Sequence, residues 1–235
     1  MFPHPLAGRV RGGGMPVLGW AWRATRSAPL TVGYLIVLSA TTALLSIASP
    51  DSDDRLLLAF STNLHQLGHA PVRVLVGSAF WTSGWGELAQ WFVLFLAVLA
   101  PVERRLGRRR TLLAFVAGHV GATLMVAAGL WLALRLGFVA PSVAVARDVG
   151  VSYGFFSVAA LAGYLLARRV RLCYLAVLGG YVTLAAALSH TFTDFGHLAA
   201  VAIGLACAGA VASRSRVELA TSRPGSGGTR TTRTA

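Results

Sequence analysis

The sequence predicts an all-α polytopic membrane protein, a bundle of six transmembrane helices, on three observations. Mean hydropathy is +0.66, with 55% hydrophobic and 12% charged residues, which excludes an ordinary soluble domain. Apolar stretches near the ~20 residues that a helix needs to cross a bilayer recur at roughly 29–49, 83–101, 111–134, 150–167, 172–188 and 195–213. The basic residues, all arginine, gather in alternate connections between those stretches. A net charge of +13 would suggest nucleic acid in a soluble chain; here it reads as topology, and no nucleic-acid partner is expected.

Residues 1–28 form an expected cytoplasmic N-terminal segment, with Arg9, Arg11, Arg23 and Arg26 and the interfacial anchors Trp20 and Trp22. The first span is expected to stay in the mature chain. Ser49-Pro50-Asp51 then breaks the helix and opens an outer segment reaching to about residue 82, whose apolar stretches are too short or too polar to span. An amphipathic structure lying in the outer interface fits it. The second span ends in Pro101-Val-Glu103-Arg-Arg-Leu-Gly107, and Arg104, Arg105, Arg108, Arg109 and Arg110 lead into the third.

The third span carries His119, roughly two turns in. Ionisable residues inside spans are functional candidates, although a histidine hydrogen-bonded to a neighbouring helix is the plainer reading. Arg168, Arg169 and Arg171 join the fourth span to the fifth, and Arg214 and Arg216 follow the sixth. The remaining connections carry a sparse, mixed set: Asp51, Asp53, Asp54, Arg55, Arg73, Arg147, Asp148 and Asp194. The expected arrangement is therefore a multi-pass cell-membrane protein with both termini cytoplasmic. Residues 29–213 make its membrane domain, and 214–235, rich in Gly, Ser, Thr and Arg, make a disordered cytoplasmic tail. Cys173 and Cys207 fall in the cytoplasmic halves of their helices and read as small apolar packing residues.

The chemistry concentrates at Asp148-Val-Gly150-Val-Ser152-Tyr153-Gly154, which puts a serine between small residues where the fourth span begins. On this topology the sixth span also runs inward, from about Phe195, so His197 lies at a similar depth. A neutral imidazole within reach activates a serine hydroxyl by taking its proton. The free N–H groups and positive dipole end of the helix suit a developing oxyanion. Gly150 and Gly154 allow close approach of backbone or substrate. On the sixth span Gly196, Ala200 and Gly204 form a small-xxx-small series that permits tight helix packing. The plainer alternative is that the serine and the glycines only pack helices and the histidine only caps one. The match to G-x-S-x-G carries little, since that elbow belongs to an α/β sheet.

These residues resemble the rhomboid family of six-helix intramembrane serine proteases. Gly150-Val-Ser152 stands where the family has Gly-x-Ser-Gly, and His197-Leu-Ala-Ala200-Val-Ala-Ile-Gly204 is similar to its H-x-x-G-x-x-x-G, with Ala for the first Gly. Val102-Glu103-Arg-Arg-Leu-Gly107 resembles the turn after its second helix. The resemblance implies Ser152 as nucleophile and His197 as base, with no third acid. It also implies departures: Tyr153 replaces the glycine after the nucleophile, and the family's oxyanion His and Asn fall near Glu87 and Trp91. Tyr153, Gly150, Asn63 and His65 are the candidates for an oxyanion or supporting role, with His69 a further donor in the same segment. Asp194 and Asp148 could orient the site, but helix capping explains both more simply.

Two functions follow. One is a divergent intramembrane serine protease acting on membrane-protein substrates, embedded in the lipid bilayer; the other is an inactive rhomboid-like protein that binds membrane clients. A transporter fits less well, since no repeat or interrupted helix pair is evident. No cofactor is expected and no metal, because His65 and His69 lack a third ligand nearby. The sequence does not indicate an oligomeric state.

Overall fold

The computed structural model describes residues 26–189 and 191–221. They fold as an all-α bundle: 85% helix, with no strand among the described residues. The first span is α1 (Pro29–Ile47). The segment expected in the outer interface breaks into α2 (Pro50–Ala59), α3 (Leu64–His69), α4 (Pro71–Gly77) and a 3-10 turn at Ser78–Phe80. Prolines open α2 and α4, where the missing N–H has no intrahelical role.

The second span is composite: α5 (Trp85–Leu94), a π-helical turn at Phe95–Leu99 and α6 (Ala100–Leu106). The π turn sits just before Pro101, whose ring would crowd the carbonyl one turn back in a regular helix. Then come α7 (Arg108–Arg135), a 3-10 turn at Pro141–Val145, α8 (Ser152–Ala162) with a 3-10 turn at Gly163–Leu165, α9 (Arg168–Ser189) and α10 (Phe192–Thr221).

Five of these helices are long and apolar enough to cross a membrane: Pro29–Ile47, Trp85–Leu106, Arg108–Arg135, Arg168–Ser189 and Phe192–Arg214. The fourth expected span, 150–167, is shorter than its hydropathy suggested. Its 11 α-helical residues and 3-residue 3-10 turn rise roughly 22 Å. That is well short of a ~30 Å hydrocarbon core. The last helix runs longer than expected, to Thr221, into the stretch read as the start of a disordered tail. Nothing between Arg214 and Thr221 breaks a helix; the first proline comes at Pro224. Residues 1–25 and 222–235, on which the rest of the N-terminal and tail expectations fall, lie outside the described residues.

The short helix is the centre of the bundle. Every residue from Tyr153 to Leu161 is buried, as expected of a helix apolar all round. It packs most extensively against α7 and α10, which also pack on each other. Glycine makes these crossings possible at Ser157. A Cβ on Gly118 would stand 2.1 Å from the Ser157 Cβ, and one on Gly204 would stand 2.1 Å from the Ser157 carbonyl oxygen. Ser157 Oγ donates to the Ala114 carbonyl across the same crossing, at 2.8 Å. α9 sits at the edge, burying only Val182 and Ala186.

Polar clasps at one end hold the bundle. The buried Glu103 carboxylate accepts from the Leu30 and Thr31 amides and the Thr31 hydroxyl, each at 2.8 Å, satisfying the first free N–H groups of α1. Arg171 donates to the carbonyls of Gly163, Tyr164 and Leu166 at 3.0–3.2 Å, closing the C-terminal end of the central helix.

Candidate active site

The approach to Ser152 is held by the outer segment. The Thr62 amide and hydroxyl donate to the Asp148 carbonyl at 2.9 and 3.1 Å, and the Asp148 amide donates to Ser61 Oγ at 2.8 Å. Thr62 Oγ1 also donates to the Asp148 carboxylate at 2.9 Å. Burial pushes that carboxyl above its ordinary range, against the opposing pull of the Thr62 hydrogen bond. The Gly150 amide donates to the Ser78 carbonyl at 2.9 Å, and its φ of +136° is one that only glycine adopts without strain. The chain then enters α8 with no side-chain cap. The amides of Ser152, Tyr153 and Gly154 precede the first backbone bond of that helix, from Phe155 N–H to Val151.

Ser152 borders a polar crevice of about 10 Å³, near the room that one water requires, lined also by Thr62, Ser78, His119, Asp148 and Tyr153. His119 Nε2 lies 3.1 Å from both Ser78 Oγ and the Leu75 carbonyl. The carbonyl can only accept, so Nε2 carries the proton. His119 thus ties the third span to the end of the outer segment. Thr62 and Ser78 were not found from the sequence. They lie 90 and 74 residues before Ser152, and nothing local marks either as a neighbour of it.

His197 occupies the second turn of α10. Its ring packs on Phe156 with centroids 4.6 Å apart and edge-on to Tyr153 at 5.5 Å. Nδ1 lies 3.7 Å from Asp194, while Nε2 is buried without a hydrogen-bond partner. Ser152 and His197 are therefore not joined by a hydrogen bond. Tyr153 lies against both groups, bordering the crevice and the imidazole. Gly196 makes room for it: a Cβ there would fall 2.4–2.5 Å from the far edge of the Tyr153 ring. Ala200 is fully buried one turn on. Asp194 takes the Ser189 and Thr191 hydroxyls, and its amide donates to Thr191 Oγ1 at 3.3 Å, so the Thr191 side chain caps the start of α10.

The other candidates lie apart from the crevice. Asn63 is buried, and its Oδ1 caps α3 by accepting from the Gln66 amide at 2.9 Å. His65 is exposed and stacks on His69, with ring centroids 4.5 Å apart. Among the described residues no three His, Cys, Asp or Glu side chains converge as a metal site would require. Glu87 accepts from the Trp91 indole at 3.0 Å and from the Ser83 amide at 2.6 Å, so the pair at the start of the second span is bonded within its own helix and turn.

An all-α bundle of long apolar helices around a short buried one, with a serine at its N-terminal end, defines a multi-pass membrane protein. The chain belongs to the family of rhomboid-like proteins, whose family model, described as "Rhomboid-like protein", matches residues 23–217. No curated protein and no solved structure matches it.

Proposed function

We propose that this protein is a divergent intramembrane serine protease of the cell membrane, with cytoplasmic termini, cleaving a peptide bond in or near a transmembrane segment of its substrate. The observation that carries the reading is the pairing on α8. Ser152 and Phe156 are four residues apart and share a helix face, and Phe156 packs on His197, whose buried Nε2 has no partner. The residue on which the imidazole packs thus lies one helical turn from Ser152, which supports the pairing, and catalytic hydrogen bonds are often long in the free enzyme and tighten with substrate bound.

In this reading Nε2 takes the Ser152 proton as Oγ attacks the scissile carbonyl. The imidazolium then protonates the departing amine, and water, activated by the same nitrogen, hydrolyses the acyl-enzyme. The free amides at the start of α8, beside the crevice wall formed by Ser78 and Thr62, receive the oxyanion. Tyr153 shapes that wall, and Gly150 lets the chain turn into it.

One observation favours a second reading, a client-binding protein without catalysis. The Glu87–Trp91 pair is bonded to itself, and no Ser152–His197 hydrogen bond is formed. A fluorophosphonate probe on the detergent-solubilised protein separates the two. Labelling lost in Ser152→Ala and in His197→Ala supports the protease. A folded wild type that stays unlabelled, beside an active control protease, establishes the second reading.

A further inference from the structure

We propose that the groove between α1 and α7 is a binding site for a single anionic phospholipid, with an acyl chain in the groove and the phosphate at Arg108. The groove encloses about 440 Å³ between residues 29–37 of α1 and 111–120 of α7, and residues 75–80 close its far end. Its lining is almost wholly apolar, and Val37, Leu112 and Val116 are exposed along it. An open apolar groove on the side of a membrane bundle faces hydrocarbon, so its occupant is an apolar chain and not water.

Length and charge select which chain. From Thr111 to Val120 the helix rises about 13 Å, close to half of the ~30 Å hydrocarbon core and so to the depth of one leaflet. The groove starts at the arginine-rich end and stops where Leu75 and Ala79 roof it. Arg108, Thr111, Leu112, Phe115, Val116 and His119 follow one face of α7 at intervals of three and four residues, so the face lining the groove ends in Arg108. Arg108 is exposed, as are Arg104, Arg105, Arg109 and Arg110 around it. It also stands in the first turn of a 28-residue helix that has no side-chain cap, where free amides and the dipole favour an anion. The nearby carboxylate, Glu103, faces the amides of α1. A basic pocket between membrane helices, continuous with an apolar groove one leaflet deep, matches an anionic phospholipid.

The test is native mass spectrometry of the delipidated full-length protein, titrated with phosphatidylglycerol and with phosphatidylcholine carrying identical chains. One phosphatidylglycerol should bind in preference to phosphatidylcholine. Arg108→Gln should weaken it about fivefold, the effect of one arginine at a membrane surface. Gly33→Phe should abolish it: Gly33 lines the groove, and a Cβ there meets nothing within 4 Å, so the ring fills the groove without displacing backbone. Equal binding of both lipids, or phosphatidylglycerol binding unchanged in Gly33→Phe, overturns the proposal. Should Gly33→Phe fail to fold, the exposed Arg108→Gln decides alone, and an unchanged affinity there overturns it.

Discussion

The Tyr153 ring occupies the space that a side chain on Gly196 would fill, its edge 2.4–2.5 Å from where that Cβ would stand. The contact joins the residue after Ser152 to the residue before His197. Gly196→Ala should therefore destabilise the bundle by about 1–3 kcal/mol, the usual cost of overpacking. Thermal unfolding in detergent measures it, and the same substitution should cost less in a Tyr153→Ala background because the two sites share one volume. A Gly196→Ala protein as stable as wild type would mean that the ring relocates freely.

Glu103 should be among the least replaceable side chains. Glu103→Ala leaves the Leu30 and Thr31 amides without their acceptor in a buried setting, at a cost of roughly 1–3 kcal/mol. Thr31→Val removes one of the three bonds and should cost less. Comparing the unfolding midpoints of the two variants checks the order.

Asp148 sets a pH dependence whose sign is definite. Burial raises its carboxyl in the folded protein, so the fold favours the protonated form. Its contribution to stability is complete below the ordinary aspartate range and is lost as pH rises through the folded value. Asp148→Asn retains an oxygen acceptor for Thr62 and removes the charge. It should flatten the decline across mildly acidic pH and unfold no earlier than wild type at neutral pH. An Asn variant with an unchanged stability–pH profile would show that the carboxyl does not titrate in this window.

Arg171→Lys should behave as a non-conservative change. The guanidinium reaches three carbonyls at the end of the central helix through two nitrogens, whereas an ammonium is a single point donor. A loss of about 1–2 kcal/mol in detergent unfolding is expected, with Arg171→Leu costing more.

How much of this was legible in the sequence depends on the range of the interaction concerned. Hydropathy is a property of consecutive residues, and it located the apolar helices and the arginine-bearing turns. The shortness of α8 was not visible, because the apolar run continues past the residue where the helix tightens at Gly163. The serine's surroundings were least legible. Asn63 and His65 stood out by residue type, yet one caps its own helix and the other stacks on a neighbour at the surface. Ser78 and Thr62, unremarkable in type, line the crevice because backbone bonds carry the outer segment back onto residues 148–150. His119 was flagged by its place in a span, and its hydrogen bonds fit the plainer reading given for it.

The Glu103 clasp also bears on biogenesis. Leu30 and Thr31 are made 73 and 72 residues before their acceptor. At common rates of synthesis that is an interval of about 4–15 s. During it the leading amides of the first helix are without their carboxylate acceptor. Its final docking thus waits until the end of the second span has been made.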